Sequence, residues 1–191
     1  IVGGADANGN SLDGVYSLDL KNTSQGFVTE AKMGEPLQGS GIYTKGGTLN
    51  LFGGLWHDWD INTPGNQPSY SANTSGFNPN TKSILGTWNG ITTTGTIKEL
   101  TDMAYTQDTL ENYFYVFGGK SYDYNANKEV LSNEIFKLNI NTNVWTKLST
   151  TLPQALAEFT AAYMHDTIDK ADKIILLGGK TENNTISEAV Y

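Results

Sequence analysis

Two tryptophans, one histidine and two aspartates occur in five consecutive residues: Trp56, His57, Asp58, Trp59 and Asp60. Indole rings can stack on a sugar ring, and carboxylate and imidazole groups can hydrogen-bond to its hydroxyl groups. The same residues could equally anchor a long loop or plug one end of the fold. No second histidine lies nearby in the sequence, so the pattern does not support a metal site. We treat all five as candidate ligand- or partner-binding residues.

A second aromatic and polar stretch is Ser121-Tyr122-Asp123-Tyr124-Asn125. Tyrosine, aspartate and asparagine in long loops are typical of recognition surfaces, since they combine contact area with hydrogen-bonding groups. Tyr122, Asp123 and Tyr124 therefore join the candidate binding residues.

Each stretch follows a glycine pair that ends a short apolar run. Four such pairs occur, roughly 50 to 65 residues apart: Gly3-Gly4, Gly53-Gly54, Gly118-Gly119 and Gly178-Gly179. This spacing is typical of a small sheet unit repeated along a chain. The last three pairs are preceded by a small-residue strand that ends in tyrosine, and strands with large aromatic residues follow the pairs. We label these predicted strands a, b, c and d, with the glycine pair at the end of strand b.

The stretch from Val116 to Leu148 resembles a kelch repeat. It reads Val-Phe-Gly-Gly, then Ser-Asn-Glu-Ile-Phe-Lys-Leu, then Asn-Thr-Asn-Val-Trp-Thr-Lys-Leu. The resemblance extends over nearly the whole chain, and in that family each repeat forms one four-stranded blade of a β-propeller. It therefore implies an all-β, kelch-type β-propeller, in which aromatic residues such as Phe27, Trp88 and Trp145 fill the space between blades.

The chain accounts for about three and a half blades. We predict one propeller domain over 1–191, with a partial blade at 1–38, blades at 39–91 and 92–148, and a partial blade at 149–191. Closed propellers typically need at least four blades, and an open half-ring would leave bare sheet edges. We therefore expect the remaining blades to come from the same polypeptide. Association of two half-rings is the alternative.

Antiparallel a–b–c–d blades place their b–c loops and d–a connections on the same side. The long b–c insertions 55–69 and 120–131 would therefore share a surface with the connections 32–39, 92–99 and 149–157. Long loops on one side of a rigid repeat array commonly bind partners. We call this predicted surface the loop face.

Composition narrows the classes of partner. The net charge of -8 disfavours nucleic acid and anionic membranes, and no apolar stretch suggests direct membrane insertion. All twelve basic residues are lysine, so bidentate arginine recognition is absent. The chain has no cysteine, which excludes thiol chemistry. We predict no metal and no cofactor.

Three N-glycosylation sequons begin at Asn22, Asn73 and Asn183, each in a predicted turn. Their number is what chance predicts, so they are candidate sites only. The acidic composition, rich in Asn, Thr and Tyr and low in charge, favours an extracellular or cell-surface location, with a cytoplasmic one as the alternative.

Together these features predict a non-catalytic interaction or scaffold module that binds a protein or a glycan through the loop face. We assign no catalytic residue, because neither His57 nor His165 lies in the sequence setting of a catalytic triad. The alternative is part of a propeller enzyme, galactose-oxidase-like or carbohydrate-active, whose catalytic residues lie mostly outside this segment.

Overall fold

The structure, a computed structural model, describes residues 1–56, 69–78, 87–168 and 170–191. The described residues form seventeen β-strands, one short 3-10 helix at Thr23–Gln25 and no α-helix. The strands are β1 Tyr16–Leu18, β2 Phe27–Thr29, β3 Gly41–Lys45, β4 Thr48–Phe52, β5 Leu55–Trp56, β6 Ser69–Tyr70, β7 Thr74–Asn78, β8 Thr87–Ile91, β9 Thr94–Gly95, β10 Ala104–Gln107, β11 Tyr113–Phe117, β12 Lys120–Asp123, β13 Lys128–Leu131, β14 Ile135–Asn139, β15 Val144–Lys147, β16 Thr160–Asp166 and β17 Ala171–Leu177. The expectation of an all-β fold is confirmed. Within the described ranges, no helix is long and apolar enough to cross a membrane.

Two antiparallel meanders occupy the middle of the chain. They run β3-β4-β7-β8 and β10-β11-β14-β15, and both follow the predicted order a, b, c, d. The second meander gains a fifth strand, because β9 pairs in parallel with β15. Toward the two ends of the chain, β1 pairs with β2 and β16 pairs with β17.

The largest of three buried clusters lies between the two meanders, and half of its ten residues are aromatic. Along β11, Phe114 and Val116 are fully buried and the residues beside Phe114 are only half-buried, as expected for a strand with one face on the core. Phe52 of the first meander packs against Trp145 of the second, with ring centroids 4.6 Å apart. Trp145 therefore occupies the space between sheets that the sequence assigned to it.

Phe27 differs from this expectation, since 58% of it is exposed. It lies in β2, whose only strand partner among the described residues is β1. A two-stranded sheet at the N-terminal end of the array offers no second sheet to pack over this ring.

The four glycine pairs share one backbone geometry. In every pair both residues have positive φ, between 57° and 75° at the first glycine and between 93° and 114° at the second. The first glycine also donates its N–H to the start of the next strand c, as from Gly53 to the Asn73 carbonyl at 3.1 Å and from Gly118 to the Glu134 carbonyl at 3.0 Å. Only glycine adopts this left-handed backbone without strain.

Three of the pairs also contact the segment that leads into the next strand a. We call residues 37–40, 100–103 and 156–159 lead-in segments, because they directly precede β3, β10 and β16. A Cβ atom added to the first glycine of a pair would lie 2.2 to 2.5 Å from the first carbonyl oxygen of the following lead-in segment. These pairs therefore need glycine for close approach as well as for positive φ.

Both b–c insertions, predicted as loops, contain paired strands. β5 pairs with β6, and β12 pairs with β13 from Lys120↔Leu131 to Asp123↔Lys128. In the second hairpin the Asp123 carboxylate accepts the N–H groups of Asn125 and Ala126, and Asn127 has φ 51°. Asparagine tolerates this conformation, so the residues first noted for recognition also form a tight turn.

Candidate binding surface on the loop face

Tyr122 and Tyr124 form an aromatic pair on the β12–β13 hairpin. Their ring centroids are 5.2 Å apart with an interplanar angle of 64°, an edge-to-face arrangement. The Tyr124 hydroxyl donates to Glu99 Oε2 at 3.1 Å, and the Tyr122 hydroxyl donates to Asn127 Oδ1 at 3.0 Å. Tyr124 remains 61% exposed. The hydrogen bonds hold both rings in place while leaving one broad aromatic surface accessible.

Asp123, the third candidate in this stretch, has a role within the turn. Its carboxylate accepts two backbone N–H groups, at 2.9 and 3.0 Å, and so stabilises the hairpin that carries Tyr124. Asp123 thus positions the tyrosine pair indirectly, by stabilising the turn of the hairpin.

Trp56 lies at the end of β5, opposite Ser69, and is 48% exposed. Leu55, just before it, exchanges two backbone hydrogen bonds with Gln38. Lys120 exchanges an equivalent pair of backbone hydrogen bonds with Thr101. The residue after the glycine pair is therefore bonded to a lead-in segment at the start of both β5 and β12.

The other members of the first candidate cluster are His57, Asp58, Trp59 and Asp60, and they lie outside the described residues. Their role as ligand- or partner-binding residues therefore stays a prediction, and so does the enzymatic alternative.

Lysines and carboxylates form a continuous charged chain beside the tyrosine hairpin. Lys120 Nζ lies 3.0 Å from Asp102 Oδ2 and 2.8 Å from Glu158 Oε1. Lys180 Nζ contacts the other Glu158 oxygen at 2.5 Å. Lys120 thereby links two successive lead-in segments, and Lys180 extends the chain to the residue after the fourth glycine pair.

The charges perturb one another in the direction expected for paired ions. Partial burial opposes the charge on Lys120, but its hydrogen bonds to Glu158 and Asp102 outweigh that effect and raise the pKa of the ammonium group. Hydrogen bonds from Lys120 and then Lys180 lower the pKa of Glu158. The network is charged and internally neutralised at pH 7. Among the residues that the structure describes, no group of three or more histidine and acidic side chains could hold a metal ion.

The acidic members occupy equivalent backbone positions. Asp102 and Glu158 have φ 52° and 55°, and Gly39 has φ 67° in the first lead-in segment. Asp102 N–H donates to the Gly39 carbonyl at 3.0 Å, and Glu158 N–H donates to the Asp102 carbonyl at 2.9 Å. This backbone ladder joins the three lead-in segments and directs the two carboxylates to the lysines.

A groove of about 470 Å³ opens beside this network. Lys120, Glu158 and Lys180 line it, strand β13 forms one wall, and the turn around Asn183 forms another. Charged groups that are already paired, together with amide groups, suit a polar ligand better than an ion. The groove and the tyrosine hairpin share β12 and β13, so one ligand could contact both.

Sequence reasoning missed the charged network, although a signal was present. Two of the glycine pairs are followed by lysine, at Lys120 and Lys180, and the leucines Leu100 and Leu156 are each followed two residues later by an acid. Aligning repeats by their lead-in segments would have exposed this pattern. Which lysine meets which acid depends on how the segments pack.

A larger groove of about 800 Å³ lies between Met33 and the first meander, and it was also missed. Leu51 and Trp88 form apolar parts of its lining, and Asn73 and Thr92 contribute polar groups. Trp88, which the sequence assigned to the space between blades, is half-buried and packs against the buried cluster of Val15, Met33 and Leu51. A groove made by segments far apart in sequence has no local signature.

The three sequon asparagines Asn22, Asn73 and Asn183 are all exposed. Asn73 lines the larger groove and Asn183 the smaller one. A glycan at either position would restrict access to that groove.

No protein-family model and no curated protein matches the chain. Among solved structures, that of YjhT is similar, with a TM-score of 0.65 and 14% sequence identity. The match covers 96% of this chain and 50% of the other, so the chain spans about half the length of YjhT. At this identity the likeness concerns the fold alone.

Proposed function

We propose that the chain forms part of a kelch-type β-propeller and acts as a non-catalytic interaction module, binding a protein or a glycan through the loop face. The two four-stranded meanders in a–b–c–d order support the architecture, and so do the four glycine pairs of common geometry. About three and a half blades correspond to this segment.

The observation that carries the binding proposal is the Tyr122–Tyr124 pair on the β12–β13 hairpin, whose strand β13 lines the groove. Large aromatic side chains held in place by hydrogen bonds give contact area at low entropic cost. Tyr124 keeps most of its ring accessible while its hydroxyl is fixed by Glu99. The nearby ion pair of Lys120 and Glu158 would orient a polar ligand. Because the two charges neutralise each other, the pair would attract free ions only weakly.

Site-specific photo-crosslinking tests this proposal. We would replace Tyr124 with a photoreactive phenylalanine analogue in the native polypeptide and irradiate it in its source cells. The matched control carries the same analogue at Leu110, which is 77% exposed in the turn between β10 and β11, at the opposite end of the strands. We expect a defined adduct, protein or carbohydrate, from the Tyr124 variant alone.

The same adduct from both variants, or from the Leu110 variant alone, would contradict a binding role for the loop face. A Tyr124→Ala variant should then compete less well than wild type for the captured partner. Removing one central aromatic side chain from an interface typically weakens binding at least tenfold, at about 1.4 kcal/mol or more. Unchanged competition would exclude Tyr124 from the contact.

A further inference from the structure

Three glycine pairs are joined to the lead-in segment that follows them, and the fourth pair is not. The second glycine donates its N–H to a leucine carbonyl in each case: Gly4 to Leu37 at 2.9 Å, Gly54 to Leu100 at 2.8 Å and Gly119 to Leu156 at 2.8 Å. Gly179 occupies the same position with φ 109°, and its N–H has no acceptor among the described residues.

The space beside the first glycine of the fourth pair is open, whereas the equivalent space in the other pairs is filled. A Cβ atom on Gly3, Gly53 or Gly118 would lie 2.2, 2.5 or 2.4 Å from the leucine carbonyl oxygen of the next lead-in segment. On Gly178 the nearest atom is the Ser187 carbonyl oxygen, at 3.9 Å. Gly178 nevertheless has φ 75°, in the same left-handed region as the first glycine of the other three pairs.

An apolar side-chain pair at this edge is exposed only in the last repeat. The residue before each glycine pair bridges to a residue of strand c: Phe52 to Thr74, Phe117 to Ile135 and Leu177 to Val190. The first two pairs are at most 8% exposed. Leu177 is 43% exposed and Val190 is 65% exposed. In the first repeat, which a lead-in segment also follows, Val2 bridges to Val15, with Val2 half-buried and Val15 buried. The pair at this position is therefore exposed on both sides only where no lead-in segment follows.

We propose that the edge formed by Leu177, Gly178, Gly179 and Val190 is a docking site for a further lead-in segment from polypeptide outside these 191 residues. That segment would place a backbone carbonyl against Gly179 N–H and cover Leu177 and Val190. Like residues 100–103 and 156–159, this segment would directly precede a strand a. The inference does not depend on the binding role proposed for the loop face.

A second copy of the chain does not meet these requirements. Its lead-in carbonyls at Leu37, Leu100 and Leu156 already accept hydrogen bonds from their own glycine pairs. A second copy would have to break one of these hydrogen bonds in order to form one with Gly179, so the number of hydrogen bonds would not increase. A segment whose carbonyl oxygen does not yet accept a hydrogen bond could accept one from Gly179 N–H without that loss.

Amide hydrogen exchange tests the docking site, with Gly119 as the internal control. In the isolated 191-residue chain, Gly179 N–H should exchange roughly tenfold faster than Gly119 N–H or more, because it lacks an acceptor. In the native polypeptide containing this chain, the two amides should be protected to a similar degree. Fast exchange of Gly179 in the native polypeptide would overturn the proposal, and so would a native polypeptide that ends at these 191 residues.

A paired substitution gives a second readout. In the isolated chain, Gly178→Ala should lower the unfolding midpoint less than Gly118→Ala, since the new Cβ atom would lie 3.9 Å from the nearest atom at Gly178 but 2.4 Å from the Leu156 carbonyl oxygen at Gly118. In the native polypeptide the two shifts should become equal, because both glycines would then face a lead-in carbonyl. An unchanged difference between the two variants in the native polypeptide would contradict docking at this edge.

Discussion

Two glycines with similar backbone conformations differ in whether a neighbouring atom also excludes a side chain. Gly46 and Gly53 have φ 55° and 67°, so both adopt the left-handed region. A Cβ atom on Gly46 would meet nothing within 4 Å, whereas one on Gly53 would lie 2.5 Å from the Leu100 carbonyl oxygen. Positive φ alone costs an ordinary residue about 1–2 kcal/mol. The close approach adds a steric cost at Gly53 only.

Gly53→Ala should therefore destabilise the chain much more than Gly46→Ala. We expect a loss of about 1 kcal/mol in the free energy of unfolding for Gly46→Ala, and about 3 kcal/mol or more for Gly53→Ala, which must also displace a lead-in segment. Urea unfolding followed by tryptophan fluorescence measures both. Equal losses would mean that backbone strain accounts for the glycine pair without the contact to Leu100.

At the scale of elements, lead-in segments hold neighbouring sheets together. They accept backbone hydrogen bonds from the preceding glycine pair and are linked to each other through Asp102 and Glu158. Lys120 adds an ionic connection between the same two segments. Sequence reasoning identified the strands on either side but treated the segments between them as connections, since their irregular backbone has no periodic pattern.

The ionic connection predicts a specific acid sensitivity. The pKa of Glu158 is lowered from its ordinary value of 4.5, so its pairing stabilises the folded state above that pH and is lost as the pH falls through the folded pKa. Wild type should therefore lose more stability than Glu158→Gln between about pH 6 and pH 3, with a difference below about 1 kcal/mol because the site is partly solvated. Urea midpoints at both pH values measure this.

Glu188→Gln is the charge-matched control for that experiment, since Glu188 is also an exposed glutamate. Its pH dependence should follow that of wild type. If Glu158→Gln shows the same acid dependence as wild type, the network does not contribute to stability.

Across the whole molecule, burial is uneven along the array. The residues that face a following lead-in segment are buried in the second and third repeats, and their equivalents in the fourth are exposed. Leu156 is fully buried in a cluster with Phe117 and Leu152, whereas Leu177 is 43% exposed. The last sheet of the isolated chain should therefore contribute less to stability than the two meanders.

Leu156→Ala and Leu177→Ala remove the same atoms from these two environments. We expect a loss of about 2–5 kcal/mol for Leu156→Ala, as for other fully buried leucines, and less than about 1 kcal/mol for Leu177→Ala in the isolated chain. Unfolding in urea provides the comparison. Similar losses would show that Leu177 is packed in solution, against the exposure seen here.

The sequence by itself determined the a–b–c–d strands of the two meanders, their order and the glycine pairs that end strand b, because these depend on local alternation, small residues and turn formers within a few positions. It also placed Tyr122 and Tyr124 at the surface, where Tyr122 is half-buried and Tyr124 exposed, since long polar insertions in a repeat array are surface features. Only the tertiary structure decided that Lys120 lies between Asp102 and Glu158, which are 18 and 38 residues away. It also decided that the first glycine of a pair faces the next lead-in segment. Such contacts depend on how one sheet packs against the next, and no local pattern encodes that geometry.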